Sequence, residues 1–166
     1  MEEQNPYQSP RAAVSVASQE GMLASRGARL AAALLDGLIG MAIMLPMMFV
    51  SGYFGAMRTG ETAPIIVLAN WALIGCVVFV LVQGYPLHAT GQTWGKRALG
   101  IRIVSLDGTK PALGKLLLLR YLPLRVVGVI PLVNSLVVLT DALLIFRNDR
   151  RCLHDLIAGT RVVVAR

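Results

Sequence analysis

Acidic residues are scarce in this chain. Nine Asp and Glu stand against sixteen Lys and Arg in 166 residues, and charged side chains make up only 15%, against roughly 25% in soluble domains. Aromatic residues are at 6% and there are two cysteines. Each shortage excludes something. Cys76 lies in a long apolar run and Cys152 in a basic tail, so no disulfide framework is expected, and two cysteines make no zinc site. Asp, His and Ser or Cys nowhere fall in a setting that suggests nucleophilic catalysis. The chain is expected to be a non-enzyme without cofactor or metal. The basic excess (pI about 10.1) is not interleaved with aromatics as a nucleic-acid surface would be, so no nucleic-acid partner is expected. Gly91-x-x-x-Gly95 lacks the Gly-Lys-Ser/Thr of a phosphate loop and the strand–helix setting of a dinucleotide site. His88 has no partner at metal-binding spacing and reads as a surface residue.

Apolar residues are abundant by contrast. They make up 55% of the chain, and the mean hydropathy is +0.64. A soluble core of this size cannot hide that much apolar surface, which points to an integral membrane protein. No charge falls in the 34 residues between Glu61 and Lys96. Asp36 is the only charge between Arg29 and Arg58, and Asp141 the only one between Arg125 and Arg147. A span needs ~20 apolar residues. The expected helices are Leu30–Val50, Pro64–Gly84, and a third region, Ala112–Phe146, that is too long for one crossing. Pro123, Gly128 and Pro131 divide that region into about Ala112–Val127 and Leu132–Phe146. Residues 1–25 read as a flexible polar tail and 26–166 as the membrane domain. The fold expected is an all-α bundle of about four membrane helices. Three spans plus an interfacial helix are the alternative, because Lys115, Arg120 and Arg125 wind around the first half of the third region.

Basic residues fall before the first helix, after the second and in the C-terminal tail, and avoid the Ser51–Ala63 loop. By the positive-inside rule these three segments and both termini are cytoplasmic. Trp94 and Tyr85 sit near that boundary, as belt residues do. Ile101–Ser105 alternates, and Thr160–Val164 is β-branched. Two such strands with no other partner should pair on the cytoplasmic side.

Buried charges need partners, because an ionised carboxylate at membrane depth costs about 2.5–3.5 kcal/mol on insertion scales. Arg29 is seven residues, ~10 Å, from Asp36 along the helix. Asp36 is therefore expected to meet Arg120, or failing that Arg125, on another helix. Asp141 needs a partner as well. The polar set Arg29, Asp36, Arg120 and Asp141 serves either a polar pathway or buried salt bridges that lock helices. Arg151, His154 and Asp155 form a cytoplasmic motif, serving either proton movement or structure. If that motif is a short helix, Asp155 is expected to pair with an Arg of the 91–104 loop.

Three motifs in order resemble the RDD family of bacterial membrane proteins. They are Arg29-x-x-Ala32-x-x-x-Asp36, Gly91-Gln92-Thr93-x-Gly95-Lys96-Arg97-x-Leu99-Gly100-Ile101-Arg102-Ile103-Val104, and Arg150-Arg151-x-x-His154-Asp155-x-x-Ala158-Gly159-Thr160-x-Val162-Val163. The family is named for one Arg and two Asp. By match these are Arg29, Asp36, and Asp141 or Asp155. The resemblance implies a multi-pass protein of the bacterial inner membrane that transports a small ion or solute, cation/proton exchange having been assigned to some members. The alternative is a non-transporting assembly or scaffold protein. The expected partners are the lipid bilayer, anionic phospholipid at the basic cytoplasmic segments, and further copies of the chain.

Overall fold

The computed structural model describes residues 21–58 and 63–165. The expected tail, residues 1–25, falls mostly outside the described residues. Its last few residues are ordered: Leu23 bridges Val163, and the backbone of residues 22–24 bonds to Val162 and Val164.

Helix α1, Arg26–Val50, starts four residues before the expected position, because Ser25 caps it by accepting from the Ala28 backbone N–H. A short α2, Tyr53–Arg58, follows. Helix α3, Ile65–Thr90, runs six residues beyond the expected end and stops at Gly91, whose φ of 69° is left-handed. The extra residues carry Pro86 and Leu87, both buried. They stay helical because Leu87 packs into the core. α1 and α3, with 25 and 26 residues, are long and apolar enough to cross a bilayer. Their outward faces expose Leu30, Leu34, Leu38, Leu73 and Leu81, the pattern of a surface solvated by lipid.

Helix α4, Trp94–Ala98, leads into strand β1, Ile101–Ser105. The third apolar region is a helical hairpin divided where the prolines and Gly128 predict. Its first leg, α5, covers residues 113–127 and contains a π-helical stretch, Leu116–Tyr121. Its second leg, α6, is Pro131–Leu143 and ends in a 3₁₀ turn, Leu144–Phe146. Each leg is about 20–22 Å long at 1.5 Å per residue, short of the ~30 Å hydrocarbon core. Helix α7, Leu153–Ala158, and strand β2, Thr160–Val164, complete the chain.

The expected strand pair forms. β1 and β2 are antiparallel, with Ile101 opposite Val164 and Ser105 opposite Thr160. This ribbon gathers the start of α1, the end of α3, the start of α5 and the C-terminus at one end of the molecule. The packed core lies at that end too, built from Ala24, Ala32, Leu87, Ile101, Ile103, Leu116 and Val162. The shared ribbon end means that α5 and α6 leave it and return to it.

Candidate functional site

Two polar clusters lie where the helices meet the ribbon. The first is built on Asp155, which has no exposed surface. Its carboxylate pairs with Arg29 from α1 through one oxygen and with Arg120 from α5 through the other. Arg120, 1% exposed, also donates to Thr160 Oγ1. Thr160 Oγ1 donates to the carboxylate at 3.2 Å, and so does the Cys152 backbone N–H at 3.3 Å. The second guanidinium nitrogen of Arg29 binds the Arg150 carbonyl. Arg151 Nε donates to the Thr160 carbonyl at 3.2 Å. One carboxylate thus ties α1, α5, α7 and β2 together. Burial alone would raise its pKa, but the charges of Arg120 and Arg29 and the hydrogen bond from Arg120 outweigh that and hold it well below the usual carboxylate range. The pairing expected with an Arg of the 91–104 loop is not what forms. The Arg partners come from α1 and α5, while Arg97 of the loop lies over the Trp94 ring, 5.6 Å from its centroid.

His154 extends this cluster to α6. Its Nδ1 lies 2.8 Å from Asp141 Oδ1 and 2.9 Å from Oδ2, and its backbone N–H donates to the same side chain at 3.1 Å. Asp141 therefore has the partner it needs. Burial and the nearby Arg120 charge lower the His154 pKa, so the ring is neutral at pH 7. Asp141, Cys152 and His154 each place a ligand atom within 4.8 Å of the others. However, burial pushes the Cys152 thiol up to about 11, and Arg29 Nη2 stands 3.5 Å from its sulfur. A cation would have to displace both the thiol proton and this guanidinium, so the trio belongs to the hydrogen-bond network.

The second cluster is built on Asp36. Its partner is the glycine-rich loop, not Arg120. Asp36 Oδ1 accepts from Gly95 N–H at 2.8 Å and from Gln83 Nε2 at 3.1 Å. Oδ2 accepts from Thr93 Oγ1 and lies 3.7 Å from Lys96 Nζ. Gln83 also accepts from the Trp94 N–H at 2.9 Å. The expectation of an Asp36–Arg120 pair fails for two reasons. Asp155, in the tail, competes for Arg120, and the loop offers Asp36 a full set of donors. The loop can approach because residue 95 is Gly. A Cβ there would stand 2.3 Å from the Ala32 carbonyl oxygen and 2.9 Å from Asp36 Oδ1. That contact is the physical content of Gly91-x-x-x-Gly95. Gln83 and Thr93 are members of the site that the sequence did not single out, although a lone Gln in a charge-free helix was the available signal.

Between α1, α3 and α5 lies a cavity of about 610 Å³. Asp36, Gln83, Thr93, Lys96, Arg120 and His154 line its polar parts, and Met41, Met44, Met48, Val78 and Phe79 its apolar ones. Arg125 lines it as well, with its guanidinium 5.4 Å from the Phe79 ring centroid. A Cβ at Gly75 would stand 3.5 Å from Arg125 Nη1, and Gly75 is ten residues into α3, ~15 Å from its start. Arg125 thus sits near mid-depth of the bundle. The π-helical stretch explains how both arginines of α5 reach one cavity. Its i→i+5 bonds realign residues that a regular helix would splay.

The sequence model of the RDD family matches residues 23–159. An uncharacterised protein, YckC, of Bacillus subtilis (strain 168) is 32% identical over 139 residues, covering 82% of each chain. An uncharacterised protein of Haemophilus influenzae (strain ATCC 51907 / DSM 11121 / KW20 / Rd) is 28% identical over 142 residues, 84% of this chain and 77% of that one. No solved structure matches significantly. Arg29, Asp36, Asp141 and Asp155 all fall within the matched span, and the chain belongs to the RDD family.

Proposed function

We propose that this RDD protein is a multi-pass carrier of a small ion or solute in the bacterial inner membrane, with the α1–α3–α5 cavity as its binding chamber. The chamber itself carries the reading. Its volume of about 610 Å³ falls within the ~300–1,000 Å³ of small-molecule pockets. It lies between two helices able to span a bilayer. The basic residues Arg26, Arg29, Lys96, Arg97, Arg102, Lys110 and Lys115 gather toward the ribbon end, which makes that end cytoplasmic. The α5–α6 hairpin leaves the ribbon end and returns to it, which supports a cytoplasmic side for both termini. Anionic phospholipid headgroups are drawn to these segments, by about 1 kcal/mol per basic residue. Few helices enclose the chamber, so the working unit is an oligomer. The roles then divide. Asp155 with Arg29 and Arg120 locks the cytoplasmic floor. Asp36 is the carboxylate an entering cation meets, and Lys96 is its most easily displaced contact.

The saturation of Asp155 by two guanidiniums favours a second reading, a scaffold whose charges are purely structural. Flux in proteoliposomes separates the two. Gradients of Na⁺, K⁺, Li⁺, H⁺ and small anions are imposed on the parent and on Asp36→Asn. The carrier reading expects flux in the parent and its loss in a variant of near-parental thermal stability. Folded parent protein that moves nothing, or loss of folding in Asp36→Asn, supports the scaffold. Maleimide tagging of Cys introduced at Thr59, outside the described residues, and at Val164 should label opposite faces of sealed vesicles.

A further inference from the structure

We infer that the tip of the α5–α6 hairpin is the contact surface for a second copy of this chain, Arg125 of each copy bonding the partner's Asn134 across a two-fold axis. The inference rests on the carrier reading, in which the working unit is an oligomer, and it assigns the surface that joins the copies.

The hairpin is too short to cross a bilayer, at about 20–22 Å per leg. Arg125 lies level with Gly75, ~15 Å from the start of α3, and three residues before Gly128. The turn at residues 128–130 therefore ends inside the hydrocarbon. Non-helical backbone at that depth persists only where protein covers it or where it lines a water-filled cavity. Within one copy it does neither. Leu124 and Arg125 line the chamber, whereas none of residues 126–130 does. Val126, Ile130 and Leu132 are exposed, Leu132 at 75%.

Polar groups gather at this uncovered tip. The backbone hydrogen bonds of the turn go to the carbonyls of Leu124, Val126, Val127 and Ile130, and those of Gly128 and Val129 accept none of them. These two stand at the C-terminal end of α5, where the helix dipole favours a cation. Asn134 Oδ1 lies beside the turn, 3.3 Å from where a Cβ on Gly128 would stand. Among the described residues the Asn134 side-chain amide has no hydrogen-bond partner. Arg125 supplies donors. One face of its guanidinium covers the Phe79 ring, yet the residue is exposed. At mid-depth that exposure is to lipid, whereas charged side chains in membranes pair or face protein. Asp36, Asp141 and Asp155 are already engaged, so the acceptor for Arg125 is neutral.

The donors and acceptors complement one another. Both copies carry the ribbon end on the same side of the membrane, so the axis relating them runs along the membrane normal and joins groups of equal depth. Arg125 stands three residues before Gly128 and Asn134 four after Ile130, which puts them at one depth on the two legs. An axis beside Gly128 sets each guanidinium against the partner's Asn134 and the partner's Gly128 carbonyl. Such bonds are strengthened by the charge on the donor, and Asn is a residue that joins helices in membranes. Gly128 has no side chain to hold the tips apart. Val126, Ile130 and Leu132 close around the polar pair, and covering Arg125 completes the chamber wall at that depth. Acyl chains on the tip would leave all of these polar groups unpaired.

The test uses the full chain in phosphatidylcholine vesicles, with a donor or an acceptor fluorophore at the C-terminus of each copy. Energy transfer in the parent should saturate with the protein-to-lipid ratio and fall when unlabelled protein is added. Arg125→Asn and Asn134→Arg, each alone, should associate about tenfold or more weakly. An equal mixture of the two variants should recover association to within about threefold of the parent. Each contact in that mixture again joins one guanidinium to one amide, whereas the first variant alone has no guanidinium there and the second has two. Should either variant fail to fold, a cross-link decides. With Cys76 and Cys152 replaced by Ala, Ile130→Cys should form dimers under oxidation and Leu81→Cys, on the outward face of α3, should not. A monomeric parent would overturn the inference, as would a mixture no better than the single variants or cross-linking at Leu81→Cys and not at Ile130→Cys. Solute flux by a protein that stays monomeric would refute this interface and leave the carrier reading standing. Dimers joined at the tip that move nothing would do the reverse.

Discussion

Replacing Asp155 by Asn keeps the shape of the side chain and removes the charge on which Arg29 and Arg120 converge. Arg120 then has Thr160 as its remaining polar contact and almost no exposure to water. Arg29 keeps the Arg150 carbonyl. Stranding one buried charge costs about 3–5 kcal/mol in soluble interiors. The arithmetic is therefore carried mainly by Arg120, with Arg29 adding less. For a chain of this size that loss corresponds to a fall in Tm of about 6–20 °C. The assay is thermal unfolding of the detergent-solubilised protein, run for Asp155→Asn, Arg120→Gln and the double variant. Asn with Gln leaves no unpaired charge between them, so the double variant should lose well under the sum of the two singles. A Tm for Asp155→Asn within about 2 °C of the parent would refute this reasoning. Additive single effects would refute it as well. The parallel cycle between Asp36 and Arg120, which share no contact, should be additive to within about 0.5 kcal/mol.

Other consequences follow from single contacts. Gly95→Ala drives a Cβ into the Ala32 carbonyl and should cost about 1–3 kcal/mol, read as a lower Tm and as protease sensitivity after Lys96 and Arg97. The folded-state pKa of His154 lies below its unfolded value of ~6.5. Its contribution to stability is thus complete above that value and lost as pH falls. Tm should drop between pH 7.5 and 5.5, and His154→Gln should flatten that segment of the profile. The Asp155 contribution has the same sign but stays intact until the pH falls below the ordinary carboxylate range near 4. In a background with Cys76 and Cys152 replaced by Ala, cysteines at Ile101 and Val164 should cross-link under mild oxidation, as directly opposed positions do. A higher yield for Ile101 with Val162 would contradict the register.

The sequence made the apolar segments, the break at Gly128–Pro131 and the strand pair legible, because each depends on short-range pattern. The Ile101–Ser105 alternation and the β-branched Thr160–Val164 segment were sufficient for the ribbon. Partner choice was less legible. Asp36 visibly needed a donor set, and elimination among arginines pointed to Arg120. The true partners include a backbone N–H at Gly95 and the neutral side chains of Gln83 and Thr93, which a search for opposite charge passes over. Asp155 carried the stronger claim on Arg120, but its burial became visible only once α7 was folded against α1 and α5. The charge-free run places the end of α3 at Gly84, whereas packing of Leu87 into the core carries the helix on to Thr90. The π-helical turn that brings Arg120 and Arg125 to one cavity has no simple sequence signature.

The central claim is that the cavity between α1, α3 and α5 is the path or seat of a solute. Filling it tests that claim most directly. Met44→Trp occupies the chamber, and Met44 is no partner in the hydrogen bonds of the Asp155 and Asp36 clusters. Uptake into proteoliposomes is measured for the parent and this variant, over gradients of Na⁺, K⁺, Li⁺, H⁺ and small anions, at matched protein content and after Tm confirms that the variant is folded. The account predicts that the solute moved by the parent is no longer moved by the filled variant. Equal uptake by both proteins would contradict it.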